Sequence, residues 1–409
     1  MRQIIIMKNL IIASLLLVLA TACESGPKQD NYDPDHIGIK FEKYSTWDSL
    51  LKVSQALNKP IFIDCYASWC GPCKMMAKNI FTDTTVGQYY NTHYVSYKIN
   101  MEKEGLKLRE KFNIMAYPTY VFLNTDGQEI HRAVGYIQKN DFIDLAATAK
   151  SDDSNLAGFK KRFDDGNREQ VFLSAYANAL SDAGLDFKEP VDEYLGMLTD
   201  NDYFSTETYE FFMMFLNDIN AKETKFLLAN KKKLITVFGE FEYHMLMQRI
   251  AESYYSNEVY SALDPKNLEA VLAYLNDNAI DDADKYTFEF EINFHRRRQD
   301  WNNYEKVAIA GADQFYADDA AQLNGLAWTF YENIDNSESL MKAVTWAKAS
   351  VKLDPGYANM DTYAAILFKA GVFDEAKYAA QKAIELGNTS GEDVSATEEL
   401  LEKITQKLS

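Results

Sequence analysis

The feature that most constrains the fold of this chain is a pair of cysteines in the run WCGPC at residues 69–73, directly after the apolar stretch 61–67. An apolar run followed by a turn with proline predicts a buried strand that leads into a helix. This junction places Cys70 at the helix N-terminus, where unpaired N–H groups and the helix dipole favour its thiolate. Cys73 lies one helical turn further on, within reach of the same sulfur. The spacing predicts a dithiol that opens and closes as a disulfide.

Two other interpretations of the cysteine pair stay open at this point. It could be half of a zinc site, but zinc needs four ligands, and only Cys23 and Cys65 remain among the four cysteines. None of the five histidines lies near the pair in sequence. The pair could also be an inert structural disulfide. We expect no metal and no cofactor other than a redox-active disulfide between Cys70 and Cys73.

Length and charge limit the classes of protein to which the chain can belong. At 409 residues it is too long for one ordinary domain, and we expect two or three. Its formal net charge of −19 argues against nucleic acid as a partner, because phosphates require a basic surface. The same charge argues against electrostatic adhesion to anionic lipid.

The N-terminal segment is organised like a targeting sequence. Arg2 and Lys8 accompany an apolar run at residues 10–20, which is shorter than the roughly 20 residues of a membrane span. Small residues followed by Cys23 resemble the lipobox of bacterial lipoproteins, although Ala20 stands where that motif prefers leucine. The resemblance implies that residues 1–22 are removed and that Cys23 is lipidated. An ordinary signal peptide cleaved nearby is the alternative.

Either form of processing places the mature chain outside the cytoplasm, where disulfides persist. We expect it in the cell envelope, anchored to a membrane through lipid and facing the periplasm or the exterior. Residues 23–40, much of them Gly, Pro, Asp and Asn, predict a flexible tether to the first domain.

Residues 41–150 alternate between helical and strand patterns. The continuous apolar run at 60–67 predicts a strand buried on both faces, and Thr46 is a candidate N-cap for the preceding helix. The turn at 124–127 predicts a hairpin between the last two strands. We predict helices at 46–57, 73–80, 106–112 and 141–149, and strands at 60–67, 93–99, 119–123 and 129–134.

Several positions in this region together resemble the thioredoxin superfamily. They occur in its order and are Asp64, the WCGPC run, Lys98, the pair Tyr117-Pro118, and Gly135. The run Phe81-Thr82-Asp83 and the following Val86 are similar to the C-terminal domain of DsbD and its relatives. The resemblance covers residues 41–150 and implies an α/β thioredoxin fold, a central mixed sheet flanked by helices.

The resemblance also implies roles in disulfide exchange. Cys70 would attack a disulfide of a protein substrate, Cys73 would resolve the mixed disulfide, and Asp64 would take the proton from Cys73. Burial in a strand should raise the pKa of Asp64, and Lys98 would temper that shift. The alternatives are a core carboxylate satisfied by hydrogen bonds for Asp64, and a solvated lysine at a strand end for Lys98.

The remaining residues of the family pattern surround the path of the substrate. Pro118 is expected after a cis peptide bond, and the resemblance implies that the backbone of Tyr117 faces an extended substrate segment. Trp69 would cap the groove or simply pack. Gly71, Pro72 and Gly135 complete the predicted substrate-binding set.

Two residues depart from the family pattern. Cys65 follows Asp64 on the same strand, so alternation points it to the opposite face, and we expect a buried, inert thiol. Ala77 stands where DsbD-type domains tend to have an acid, which leaves Asp64 as the only obvious proton acceptor.

The Gly71-Pro72 pair resembles the reducing members of the superfamily. Dithiols of that kind have reduction potentials of about −270 mV, against about −120 mV for a strong oxidant. The sequence therefore favours a disulfide reductase, which needs a reducing electron-donor protein.

From residue 151 onward strand patterns give way to helical periodicity. We expect a helical region at 151–320 and tetratricopeptide-like repeats at 321–409. Ala343, Ser350 and Pro355 recur as Ala376, Ala383 and Asn388 at a fixed offset. These repeat positions predict stacked helical hairpins that either hold a peptide or protein client or only complete a helical core.

These observations lead to one hypothesis and two rivals. We expect a membrane-tethered thiol–disulfide oxidoreductase, most simply a reductase. The rivals are an adaptor or chaperone-like protein in which the helical surface binds the partner and the redox domain is secondary, and a disulfide isomerase or redox sensor.

Overall fold

The structure is a computed structural model that describes residues 38–44 and 46–409. The predicted signal segment 1–22, Cys23 and nearly all of the predicted tether 23–40 lie outside the described residues. The chain divides into two compact units, of which the first ends at Pro190 and the second is Val191–Ser409. Within the described part of the chain, no helix is both long and apolar enough to cross a membrane.

A four-stranded mixed sheet forms the centre of the first unit. Its strands are β1 Ile61–Tyr66, β2 Val95–Asn100, β3 Thr119–Leu123 and β4 Glu129–Val134. They lie in the order β2-β1-β3-β4, with β1 parallel to β2 and both other pairs antiparallel. A helical crossover allows the parallel pairing of β1 and β2, whereas β3 and β4 are joined by the predicted tight turn. The predicted mixed sheet is confirmed.

Five helices flank the sheet, one more than the sequence predicts. They are α1 Trp47–Leu57, α2 Gly71–Asn79, α3 Thr84–His93, α4 Leu106–Lys111 and α5 Lys139–Ala149. The additional helix is α3, whose polar sequence lacks an apolar period. Its first turn is capped by the Asp83 carboxylate, and it is held by the burial of Val86 and Tyr90. Thr46 caps α1 as predicted, through a capping box with Ser49.

Alternation along the sheet separates two hydrophobic layers. Phe62 packs with Met76 of α2, Tyr120 of β3 and Phe142 of α5. Ile61, Ile63 and Cys65 of β1 instead pack in a second layer that also includes Leu50 of α1. Since neighbouring strand residues face opposite sides, Asp64 lies on the side of the sheet covered by α2, and Cys65 lies on the other.

The first unit continues beyond the region that resembles thioredoxin. Helices α6 Leu156–Asp164 and α7 Gln170–Asp182 belong to it and pack against β4. Burial lowers the pKa of His131 on β4 to about 4, so its ring is neutral at pH 7. Its Nδ1 accepts a hydrogen bond from the backbone N–H of Leu156 at 3.4 Å. The sequence places these helices in a separate region from residue 151, whereas the structure groups them with the sheet.

The second unit is helical throughout its described residues. Helix α8 begins in the last residues of the first unit and continues into the second. The helices α8 to α14 are α8 Lys188–Met197, α9 Thr206–Phe215, α10 Lys222–Ala229, α11 Lys231–Phe238, α12 Glu240–Tyr254, α13 Tyr260–Ala262 and α14 Pro265–Asp277. A 3-10 turn at Asp202–Phe204 precedes α9, and a π-helical turn at Tyr255–Val259 joins α12 to α13. The remaining helices are α15 Ala283–Arg298, α16 Trp301–Phe315, α17 Ala320–Asn333, α18 Ser337–Leu353, α19 Tyr357–Lys369, α20 Phe373–Ser390 and α21 Ser395–Leu408.

Consecutive helices of the C-terminal part pack on one another around one apolar core. From α17 to α21 each helix contacts the next, and Trp346 and Phe330 meet edge to face in the interior. The repeat positions Ala343, Ala376 and Ala383 are fully buried. The all-α character is confirmed, while the tetratricopeptide assignment stays a prediction.

Candidate active site

The cysteine pair lies where β1 gives way to α2. Cys70 is the N-cap residue of α2, and its Sγ accepts a hydrogen bond from the backbone N–H of Cys73 at 3.0 Å. The two cysteines are joined by a disulfide, so the structure is the oxidised form. Cys70 is 1% exposed and Cys73 is 4% exposed. When the bond is reduced, the same N–H and the helix dipole stabilise a thiolate on Cys70.

Several residues next to the cysteine pair are exposed. Trp69 is 68% exposed, so it is not a core residue, and its indole N–H donates to the Glu102 carboxylate at 2.8 Å. Its ring meets that of Tyr117 edge to face, with centroids 6.0 Å apart. Gly71 and Pro72 are exposed, and so are the side chains of Met75 on α2 and of Met115, which precedes Tyr117 by two residues. Sequence reasoning did not single out the two methionines, because no local pattern marks an exposed methionine.

A turn in the first unit brings three predicted substrate-binding residues together. The Tyr117–Pro118 peptide bond is cis, as the sequence predicts. The N–H of Gly135 donates to the carbonyl of Pro118 at 2.9 Å, which ties the end of β4 to this turn. Gly135 has φ +98, a conformation that favours glycine. Tyr117 packs beside Cys70 and Cys73.

Asp64 and Lys98 form a pair under α2. They are directly opposite in the parallel register of β1 and β2, and Lys98 Nζ lies 2.9 Å from Asp64 Oδ2. Asp64 is 1% exposed, and within the described residues neither carboxylate oxygen accepts a well-formed hydrogen bond. The contact is therefore a close ion pair, in which the Lys98 ammonium favours the charged form of the Asp64 carboxyl.

The ion pair compensates the burial of Asp64 only in part. Burial raises the pKa of the Asp64 carboxyl above its usual range, and the charge of Lys98 opposes that rise without cancelling it. Both directions agree with the sequence-based expectation. A carboxyl group in this condition can accept a proton more readily than an exposed one, as a general base requires.

Tyr120 is a neighbour of Asp64 that sequence reasoning missed. It is opposite Asp64 in the register of β1 and β3 and is fully buried. Its hydroxyl has no hydrogen-bond partner within the described chain. Burial raises its pKa, and the charge of Asp64 raises it further. The available signal was an aromatic residue two positions after Pro118, which identifies a strand residue but not its partner.

Cys65 is separated from this chemistry. It is a free, fully buried thiol in the apolar layer on the other side of the sheet. Burial raises its pKa well above the usual range, so it stays protonated and unreactive. Over residues 38–44 and 46–409, no group of three or more His, Cys, Asp or Glu side chains is arranged to hold a metal ion.

This geometry agrees with the comparison to known families. The thioredoxin-like domain family matches residues 47–150. The chain contains a thioredoxin-like domain. The thiol:disulfide interchange protein DsbD of Pasteurella multocida is 30% identical over 118 residues, which cover 27% of this chain and 20% of that protein. Chloroplastic thioredoxin Y of Oryza sativa subsp. japonica is 30% identical over 113 residues, covering 28% of this chain and 62% of that protein.

A solved structure is also similar to the thioredoxin-like domain. It is a solution structure from Bacteroides thetaiotaomicron, provisionally assigned as a disulphide isomerase. It shares 38% identity and covers 27% of this chain and 93% of the solved chain, with a TM-score of 0.26. The chain spans about a fifth to a quarter of the length of the DsbD relatives it matches. The likeness therefore concerns the domain that carries Cys70 and Cys73.

Proposed function

We propose that the protein is an extracytoplasmic thiol–disulfide oxidoreductase that reduces disulfides in protein substrates. The observation that carries the proposal is the position of Cys70. This cysteine caps α2, and its Sγ accepts a hydrogen bond from the backbone N–H of Cys73. A thiolate at this place is stabilised before it attacks. An inert structural disulfide would not require the exposed apolar surface beside it or the buried carboxyl beneath it.

The proposed cycle begins with the reduced dithiol. The Cys70 thiolate attacks one sulfur of a substrate disulfide; a Cys70–substrate disulfide forms, and the second substrate sulfur leaves as a thiolate. Cys73 then loses its proton to Asp64 and attacks Cys70 Sγ, which releases the first substrate sulfur as a thiolate. The substrate gains two electrons, and the enzyme is left with the Cys70–Cys73 disulfide seen here. A reducing donor protein restores the dithiol.

The location and remaining partners are part of the same proposal. Lipidation of Cys23 would hold the enzyme at a membrane, facing the periplasm or exterior. The helical unit would hold a client or only pack. Labelling cells with an alkyne fatty acid tests the anchor: wild type should be labelled and Cys23→Ala should not. Equal labelling of both would contradict it.

The first experiment on the activity is an equilibrium redox titration. The soluble chain from residue 24 is incubated in dithiothreitol or glutathione buffers, and Cys70 and Cys73 are trapped by alkylation. Trp69 fluorescence follows the same transition, with Trp69→Phe as the control for the four other tryptophans. We expect a potential of about −270 mV.

The alternatives give different results in this titration. A potential of about −120 mV would contradict the reductase and favour an oxidant. An intermediate potential of about −180 mV, with reshuffling of scrambled disulfides, would favour an isomerase. No reversible transition would refute the enzyme and favour a helical adaptor.

A further inference from the structure

A large cleft lies in the first unit, beside β4, an edge strand of the four-stranded sheet. Its volume is about 870 Å³. One wall is the end of β4 with the residues that follow it, a second is α5, and the third is built by the region of α6 and α7. A cleft of this volume is in the range of sites that hold ligands and is large enough for a short peptide segment.

The cleft begins beside the turn that contains the cis Tyr117–Pro118 peptide bond. Tyr136 and Ile137 line it and directly follow Gly135, whose N–H is bonded to the carbonyl of Pro118. The backbone N–H of Ile137 contacts Sδ of Met76 on α2 at 3.5 Å, which fixes this edge of the cleft to the helix that carries Cys73. A polypeptide that lies along the turn beside the disulfide can therefore continue into the cleft.

Part of the lining of the cleft is apolar. Ala133, Val134 and Leu145 come from the thioredoxin-like domain, and Phe159 and Ala179 come from α6 and α7. Asn178 also lines it, and Asn178 Oδ1 is buried with no hydrogen-bond partner in the described chain. This carbonyl oxygen can accept a hydrogen bond from a backbone N–H of a bound chain.

Carboxylates outnumber basic side chains in the lining of the cleft, three to one. Three carboxylates contribute to it, Asp141 and Asp144 on α5 and Asp182 on α7. The only described basic side chain in the lining is Arg132, whose guanidinium is bound to the Glu129 carboxylate and the Phe112 carbonyl. His131 is neutral. The cleft is therefore complementary to a segment that carries Lys or Arg between apolar residues.

We infer that this cleft is a substrate subsite that binds an extended, cationic segment of the polypeptide whose disulfide is exchanged at Cys70. The inference rests on the proposed function and adds a substrate class to it. The subsite needs α7, which lies outside the matched family region 47–150. Specificity for basic segments would then depend on residues that follow the thioredoxin-like domain in the chain.

The test compares two peptides with the full soluble chain. Each contains the same intramolecular disulfide, and they differ only in a flanking segment with three lysines or three glutamines. The variant Asp141→Asn/Asp144→Asn/Asp182→Asn removes the three rim charges. The matched control Glu398→Gln/Glu399→Gln/Glu402→Gln removes the same charge from exposed positions on α21.

We expect wild type to prefer the lysine peptide by about tenfold in kcat/KM, since three partly exposed charge pairs contribute modestly. The rim variant should lose that preference through KM, and the α21 control should keep it. Equal kcat/KM for both peptides with wild type, or an equal loss of preference in both variants, would overturn the inference.

A steric pair of variants tests the place independently of charge. Ala175→Trp puts a large side chain into the cleft from α7, whereas Ala147→Trp puts one on α5 at an exposed position outside the lining. We expect Ala175→Trp to raise KM for both peptides at least fivefold and Ala147→Trp to leave it within twofold. Similar KM values for the two variants would contradict the cleft as the site.

Failure of the redox proposal can be told apart from failure of the subsite. Binding of a cysteine-free lysine peptide is measured by fluorescence anisotropy with Cys70→Ser/Cys73→Ser, which has no redox chemistry. Loss of this binding in the rim variant supports the subsite even if wild type turns over no disulfide. Undetectable or rim-independent binding overturns the subsite even if disulfides are reduced.

Discussion

Asp64 beneath the active-site helix is a fully buried carboxyl group, whereas Asp361 in the C-terminal helical region is only half-buried, and their partners also differ. Asp64 is 1% exposed, and its partner is the charged Lys98 ammonium. Asp361 accepts a hydrogen bond from the Thr397 hydroxyl at 2.6 Å. Burial raises the pKa of both carboxyl groups, and each partner opposes that rise in its own way.

The two sites differ in how deeply the carboxyl group is buried and in whether its partner is charged. Full burial makes the charged form of Asp64 costly, the Lys98 charge offsets that cost only in part, and protonation relieves the remainder. Asp361 has a hydrogen-bond donor that serves its charged form, so protonation gains less. The charged form of Asp64 therefore costs the thioredoxin-like domain stability, and the proposed transfer of a proton from Cys73 would relieve that cost.

The largest expected effect comes from the cysteines. Cys70→Ser should lower the rate of disulfide reduction on the order of a thousandfold or more, because the nucleophile is lost. Cys65→Ala is the matched control, since Cys65 is buried in the opposite layer. It should retain turnover within twofold and lose about 1–2 kcal/mol of stability. Turnover of a peptide disulfide measures both variants, and equal losses would contradict the separation of the two layers.

The second largest effect is expected from Asp64, the proposed proton acceptor. Asp64→Asn should slow resolution of the mixed disulfide by about 10²-fold, because a general base is removed. The same change should stabilise the fold at pH 7 by about 1–3 kcal/mol, because a charged buried group becomes neutral. Asp361→Asn should leave turnover unchanged and alter stability by less than about 1 kcal/mol. Stopped-flow quenching and urea unfolding measure the two quantities.

The pH dependence of stability gives a further check on Asp64. Because folding raises the pKa of Asp64, this carboxyl group contributes fully to the stability of wild type below its unfolded pKa of about 3.9. That contribution is lost as the pH rises through the folded pKa. The stabilisation by Asp64→Asn should therefore appear above about pH 4 and grow toward neutral pH. A gain that is independent of pH would contradict the raised pKa.

A smaller effect is expected from Lys98. Lys98→Met removes the charge that opposes the burial of Asp64, so the Asp64 pKa should rise further and the pH profile of turnover should shift upward by about one unit. Lys139→Met is the control, because Lys139 pairs with Asp83 at an exposed position. It should shift the profile by less than about 0.2 units. Matching profiles would show that Lys98 does not act on Asp64.

The smallest effect on turnover is expected in the helical region. Trp346 is buried, and its indole N–H donates to the Asp313 carboxylate. Trp346→Phe should cost about 1–3 kcal/mol of stability through the lost hydrogen bond and volume. Reduction of a small disulfide should stay within twofold of wild type. A tenfold loss of turnover at a temperature where the variant is folded would show that the helical unit takes part in catalysis.

Much of the thioredoxin-like domain could be predicted because its signals are local. The run before WCGPC gives β1, the pleat alone puts Asp64 and Cys65 on opposite faces, and the turn at 124–127 gives the β3–β4 hairpin. Helix α3 was missed, because its stability comes from a cap and from the burial of Tyr90 against Phe142 of α5. Tyr120 was missed as a neighbour of Asp64, since their pairing depends on strand register.

The sequence by itself determined the dithiol, the order of elements around it and the helical character of the rest, because each depends on residues within a few positions of one another. Tertiary structure decided the Asp64–Lys98 contact, the enclosure of Asp64, and the attachment of α6 and α7 to β4 that forms the acidic cleft. Burial, pKa and cleft shape depend on which distant segments exclude water from a side chain. No local pattern specifies that, because the excluding residues lie tens of positions away.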